Sequence, residues 1–325
     1  MKKIMAFALC LTLLLSAFAG GAVAEEDPVV IENMGRTTTY EEAPETAVAL
    51  SYSIAEIMVA LGLEDKIVAI APSMYILDQV SEEYRETVGS FPVLEGNYGV
   101  PTLETVLDTG AEFVFGDAYS FYASGVGTAE DFEAAGVNIY ATEGTYVEDA
   151  TFENIYNDII NIGKIFRVEE RAEELVAQLR EREASVEASV AGLEPVRVFY
   201  FDSDTGGGVD MSTVGNTGLQ SLMLEMAGAE NIFSDVEGQF VAVSWEDVVD
   251  RDPEYIIVCD YYGEGYADEK IAELKANPAT MCSMAFPSTS RHAPRPPSSA
   301  LPAAANPPSP SFWRAFIPCG QAAYA

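Results

Sequence analysis

The chain has 325 residues, enough for two domains, and carries 52 acidic against 17 basic residues, a formal charge of −35. That balance excludes nucleic acid as a partner, because phosphate binding needs a positive surface. It favours solubility and says little about fold.

Residues 1–24 read as a secretory signal. Lys2 and Lys3 form its positive end, Met5 to Leu15 its apolar run, and Ala22-Val23-Ala24 its cleavage site before Glu25. The run is short for a membrane anchor. Cys10 follows Leu9, where a lipidated cysteine would want a small residue, so a cleaved and released protein is expected. Cys259 stands alone in an apolar stretch, and Cys282 and Cys319 lie near the end. No disulfide framework follows from them. The single histidine, His292, also lies near the end, which excludes an imidazole-built metal site in the body. No metal ligands and no resident cofactor are expected.

Val29 to Tyr40 alternates around Asn33-Met34-Gly35 and predicts a hairpin. Ala47–Ser51, Ile67–Ala71, Phe113–Phe115 and Val137–Tyr140 read as strands. Ile54–Leu61, Thr128–Ala135 and Thr151–Ile162 read as helices between and after them. Val168 to Val190 then holds no Gly or Pro and repeats apolar residues at Val168, Ala172, Leu175, Val176, Leu179, Val186 and Val190. That spacing predicts one helix with a single narrow stripe, stopped by Gly192 and Pro195 and running roughly 35 Å. A helix of that length in mid-chain can join two lobes. Beyond it, Val196–Phe201 and Tyr255–Cys259 read as strands, and Thr217–Ala227, Trp245–Asp250 and Asp268–Ala276 as helices. Strands alternate with helices on both sides, so each lobe is expected to be a mostly parallel α/β sandwich.

Thr102 to Val114 repeats as Ser244 to Ile256 at a constant offset of 142, with Glu, Val, Asp and Glu matching outright. Each copy reads as a short capped helix followed by a buried strand. Two copies so far apart imply two similar lobes, not a solenoid.

Ligands of such sheets bind beyond the carboxyl ends of the strands. The loops there hold Met74 and Tyr75, then Asp117 to Tyr122 with Tyr119 and Tyr122, then Tyr146. In the second half they are Asp202 to Met211 and Asp260 to Tyr262. Aromatics dominate, and they predict a binding cleft. No basic residue falls in these loops, and only Arg85 could reach them, so a small, strongly anionic ligand would lack counter-charges. Nucleophile elbow, histidine base and phosphate loop are absent. Thr205-Gly206-Gly207-Gly208 fits no dinucleotide fingerprint.

Asn33-Met34-Gly35-Arg36, Pro44, Ala49-Leu50-Ser51, Glu56, Leu61-Gly62 and Asp65-Lys66 resemble the opening of the exported substrate-binding proteins of iron–siderophore and cobalamin importers. Gly218-Leu219-Gln220 through Ala227-Gly228-Ala229-Glu230-Asn231-Ile232-Phe233 resembles that family's later helix and turn, and Val243-Ser244-Trp245-Glu246 its following motif. The resemblance covers roughly Val29 to Pro278. It implies two α/β lobes bridged by one long α-helix, with the ligand in a cleft between them and little closure. It also implies one glutamate per lobe that docks on a membrane permease, here Glu104 and Glu246. Phe240 matches an aromatic ligand contact of the cobalamin-binding members. Met211 falls in another contacting loop, whose apolar, proline-rich pattern is replaced here by glycines.

The expected organisation is a signal over 1–24, a first lobe over 25–165, a bridging helix over 166–192 and a second lobe over 193–279. Tyr75, Tyr119, Tyr122, Tyr146, Met211 and Phe240 are the expected ligand contacts. The expected function is capture of a metal chelate (ferric siderophore, corrinoid or haem) outside the cytoplasm. The expected partner is the permease and ATPase of an ABC importer, met as a monomer and without catalysis. A secreted α/β enzyme, or a surface sensor or adhesin on the same fold, is the alternative. Residues 280–325 hold no Asp or Glu and nine of the seventeen prolines, and neither helical nor strand period survives. They read either as a natural proline- and alanine-rich tail or as an aberrant one from a shifted reading frame, and the second would leave the second lobe short of a strand and a helix and with an open sheet edge.

Overall fold

A computed structural model describes residues 27–72, 77–97, 99–204, 210–260, 266–276 and 316–318. The first lobe opens with β1 (Val29–Asn33) and β2 (Arg36–Tyr40), an antiparallel hairpin in full register. Met34 and Gly35 at its tip both have positive φ, as the tight turn that matches strand twist requires.

Next come β3 (Ala47–Ala49), α1 (Tyr52–Ala60), β4 (Ile67–Ile70), α2 (Glu82–Val88) and α3 (Leu103–Leu107). β5 (Phe113–Asp117), α4 (Ala129–Ala134), β6 (Asn138–Thr142) and α5 (Phe152–Ile165) complete the lobe. Its sheet runs β4-β3-β5-β6, all parallel. β3 and the apolar part of β5 are buried on every residue, as strands covered on both faces must be. Phe113 and Phe115 pack edge-on against Phe166 and Tyr140 in the core.

α6 (Glu169–Val190) is the long helix, 22 residues. Its first turns belong to the first lobe. Ala172 and Val176 are buried there, and a Cβ added at Gly163 of α5 would overlap that of Ala172. Arg171 donates to the Leu61 and Gly62 carbonyls at the end of α1, both at 3.1 Å. Arg180 forks onto Glu153 at 2.6 Å twice, and the Tyr156 hydroxyl donates to Glu183 at 2.7 Å. The apolar stripe does not stay covered to the end, since Val186 is exposed. Val190 instead packs on Gly228 of the second lobe.

The second lobe holds β7 (Val196–Phe201), β8 (Ser203–Asp204), β9 (Asp210–Val214), α7 (Leu219–Met226) and β10 (Ala229–Asn231). β11 (Phe240–Ser244), α8 (Trp245–Arg251), β12 (Tyr255–Val258), α9 (Tyr266–Ala276) and β13 (Phe316–Pro318) follow. β10, β7 and β12 are parallel, and β13 pairs antiparallel with β12. Strands β11-β9-β8 form a separate antiparallel sheet, so this lobe is less uniformly parallel than its sequence suggests. The expected open edge of β12 is likewise occupied over Tyr255–Ile257 by β13, because any extended segment in reach can satisfy an unpaired strand edge.

The internal repeat is structural. Thr102 caps α3 by accepting from the Thr105 amide, and Ser244 caps α8 by accepting from the Asp247 amide, both at 3.2 Å. Each helix leads into a parallel strand of its own sheet, β5 or β12.

Overpacking the seam between α5 and α6 should be costly. Gly163→Val is expected to lower stability by about 1–3 kcal/mol in urea denaturation. Unchanged stability would mean that the two helices are free to part.

Candidate ligand-binding site

In parallel sheets the strand carboxyl ends face the ligand side. In the first lobe those ends are Asp117 and Thr142, and hydrogen bonds tie the loops beyond them together. The Thr142 hydroxyl donates to Asp117 at 2.9 Å, and the Thr145 hydroxyl donates to the Thr142 carbonyl at 2.7 Å. Thr145 Oγ1 in turn accepts from the Ala118 amide at 2.9 Å. This fixes the single helical turn Ala118–Phe121, which carries Tyr119 and adjoins Tyr122. Those two tyrosines are 66% and 46% exposed, while Phe121 is buried as their anchor.

The second lobe meets this loop directly. Leu219 at the start of α7 lies against Gly144, where a Cβ would stand 3.2 Å from its Cδ1. Gly218, just before it, packs on the Gln239 side chain, next to Phe240. Phe240 is 48% exposed. Three contacts thus lie along this part of the seam, Ala118 with Thr145, Gly144 with Leu219 and Gly218 with Gln239, the residue before Phe240. A second crossing is made by Gln79, whose Nε2 donates to the Asp260 carbonyl at 3.4 Å.

Other expected contacts sit elsewhere. Tyr146 packs against the first-lobe core, and its hydroxyl accepts from Asn33 Nδ2 at 3.1 Å. Asn33 also exchanges two 2.8 Å bonds with the Ala141 backbone, so Tyr146 locks the hairpin tip to the end of β6. Met211 is 1% exposed, in the second-lobe core with Phe201 and Trp245. That corrects its expected place on a loop: it belongs to β9, whose pairing with β11 turns it inward. Tyr75 lies outside the described residues, as do Met74, Tyr261, Tyr262 and the glycines 206–208.

Charges near the strand ends also differ from expectation. Arg85 is spent within its own lobe on the Val80 and Asp78 carbonyls. Lys270, which the loop sequences did not reveal, is buried beneath the second-lobe strand ends. Its Nζ donates to the Cys259 carbonyl at 2.6 Å and to the Asp202 carbonyl, and burial holds its pKa down. Asp117 is pushed up by burial, opposed by the Thr142 hydrogen bond. Asp158 on α5 is only 3% exposed. It accepts from the Tyr140 hydroxyl at 2.8 Å and the Glu143 amide at 3.1 Å, which secures the loop bearing Gly144 and Thr145. Burial pushes its pKa up to about 7, outweighing those hydrogen bonds.

Glu104 and Glu246 occupy equivalent places in the two lobes, each exposed in the first turn of its short helix. Neither has an ion-pair partner among the described salt bridges.

Two α/β lobes and one long helix joining them define a two-lobed, helix-bridged binding protein. The chain belongs to the periplasmic binding protein family, whose model matches residues 48–281. It is 24% identical over 219 residues to the vitamin B12-binding protein of Vibrio parahaemolyticus, covering 67% of this chain and 72% of that one. A substrate-binding lipoprotein of an ABC transporter from Bacillus subtilis is 24% identical over 235 residues, covering 72% and 69%. Among solved structures, a periplasmic binding protein from Veillonella parvula superposes with a TM-score of 0.66 at 28% identity, covering 77% of this chain and 84% of that one. An Fe3+-hydroxamate transport protein from Saccharomonospora viridis gives 0.63 at 27%, covering 78% and 86%. Family membership implies an extracytoplasmic location. Among the described residues no helix is long and apolar enough to cross a membrane.

The Asp158 pKa sets a pH dependence. Its folded value lies above the usual 3.8, so the native state binds the proton more tightly than the unfolded chain between about pH 4 and 7. This contribution to stability is complete below that window and is lost as pH rises through about 7. Asp158→Asn, which mimics the protonated form, should therefore gain in Tm relative to wild type between pH 5 and pH 8. A constant difference across that range would contradict the assignment.

Proposed function

We propose that this protein is the extracytoplasmic receptor of an ATP-driven importer, and that it captures a metal chelate between its lobes and delivers it to the membrane permease. The carrying observation is the seam itself: exposed Tyr119, Tyr122 and Phe240 on two lobes held by one helix. Large planar or apolar ligand surface stacks well on such rings. The relatives named for vitamin B12 and Fe3+-hydroxamate support this ligand class.

In this reading Tyr119, Tyr122 and Phe240 contact the ligand, with Tyr75 as a further candidate, and Tyr146 supports the loop. Residues 25–165 and 193–279 form the lobes and 166–192 the bridge. The protein acts as a monomer and performs no chemistry. Against the enzyme alternative, the carboxylate most displaced toward neutrality, Asp158, is buried and engaged by Tyr140 and Glu143 instead of facing the seam.

Glu104 and Glu246 serve as the permease-docking charges in this reading. Their exposure and equivalent placement suit a partner with two matching basic sites, and rim charges register a partner more than they stabilise a fold.

The experiment has two parts. Ferric siderophores, corrinoids and haem are titrated while tyrosine fluorescence is followed, and at least one large chelate should bind with quenching. With that ligand, the double variant Glu104→Ala, Glu246→Ala should keep its affinity and lose uptake. Binding of only a small citrate-like anion would contradict the ligand class. Parallel loss of binding and uptake would move the two glutamates into the cleft.

A further inference from the structure

The carboxyl ends of β7 and β12 carry an unusual group of charges. Asp202 and Asp260 follow the two strands, and Lys270 lies beneath them, donating to the Asp202 and Cys259 carbonyls with its ammonium 4.2 Å from the Tyr266 ring centre. Asp260 is only 6% exposed, yet its Oδ1 is buried with no hydrogen-bond partner. A buried acceptor in that state costs stability, most of all on a carboxylate, and native folds rarely keep one without a use for it.

Its position indicates the use. The backbone carbonyl of the same residue receives the Gln79 side chain from the other lobe at 3.4 Å. Asp260 therefore lies where the lobes meet. That contact is long for a hydrogen bond, and a slight parting of the lobes would break it.

We propose that Asp260 is a specificity-determining residue of the cleft, its carboxylate kept for an N–H, O–H or cationic group of the ligand and set against anionic chelates. The inference rests on the binding-protein reading above and narrows it. Three carboxylates, Asp117, Asp202 and Asp260, stand at or just beyond strand carboxyl ends. Lys270 is the cation beside Asp202 and Asp260, its Nζ donating to the Asp202 and Cys259 carbonyls, while Arg85 of the first lobe is committed to Val80 and Asp78. A ligand bearing catecholate or carboxylate charge would meet like charge across a partly desolvated seam, which is the repulsive half of selectivity. An amide-rich corrinoid or a neutral ferric trihydroxamate with N–H groups would supply the missing donor instead.

Asp260→Asn keeps the shape and removes the charge. In ligand-free protein it should raise Tm by about 2 °C or more, because a buried carboxylate oxygen without a hydrogen-bond partner is exchanged for a less strongly hydrated amide. An unchanged or lower Tm would make Asp260 a structural counter-ion of Lys270 and overturn the proposal. Binding is then compared for cobinamide, a neutral ferric trihydroxamate and a trianionic ferric tris-catecholate. Wild type should prefer one of the first two over the catecholate at least about tenfold, and the variant should lose most of that preference, as expected for one charged hydrogen bond. A preference for the catecholate, or a ratio unaltered in the folded variant, would also overturn it. If wild type binds none of the three, the chelate-import reading fails, and the ligand-free melts still decide the claim about Asp260.

Discussion

The structure depends on the close approach of α5 and α6 at Gly163 and Ala172. A helix that could swing freely would join two lobes without fixing a cleft between them. Here the first turns of α6 are cemented to the first lobe by that approach, by Arg171 on the end of α1 and by the Arg180–Glu153 fork. The surface ion pair adds little by itself. The apolar contact and the Arg171 bonds to the Leu61 and Gly62 carbonyls carry more. The far end of the helix meets the second lobe at Val190, which packs on Gly228, and beside Leu222, Glu225 and Met226 of α7. The bridge is thus an extension of one lobe, and the second lobe is held at its tip.

That arrangement explains how a seam can be both preformed and adjustable. On the first-lobe side, Asp158, Tyr140, Thr142 and Thr145 hold the loops beyond β5 and β6 through bonds with both partners supplied by the same lobe. Tyr119 and Tyr122 are displayed from that rigid base, so in the proposed site little ordering entropy would remain to be lost on stacking. Across the seam the contacts among the described residues include a Leu219–Gly144 touch and one long Gln79 bond. Ligand can part them cheaply and replace them with its own surface.

Much of this was legible in the sequence. The long helix, the hairpin and the alternating strands follow from periodicity, and the two halves from a repeat whose caps, Thr102 and Ser244, both act as caps in the structure. What escaped has physical reasons. α2 is the polar run EEYRETV, whose one buried residue, Val88, gives no stripe to detect. β9 is short and carries Ser and Thr, so its partnership with β11 is decided by tertiary pairing instead of local pattern. Met211 was misplaced for that reason. Tyr146 lies on the expected loop, yet its hydroxyl turns to Asn33, 113 positions away, a direction no local pattern encodes. Lys270 sits among charged residues of α9 that look solvent-facing, and only the fold shows its ammonium on two strand-end carbonyls. Buried polar groups are set by what the rest of the chain brings to them, which is why they are the last features to be read from sequence.

A bridge locked to one lobe permits only a slight rigid-body adjustment of the other around the ligand. Small-angle X-ray scattering of the protein with and without a saturating chelate tests this directly. The two curves should superimpose, with the radius of gyration unchanged within experimental error. A clear fall in the radius of gyration on binding, as a hinged closure of two freely moving lobes would give, would contradict it.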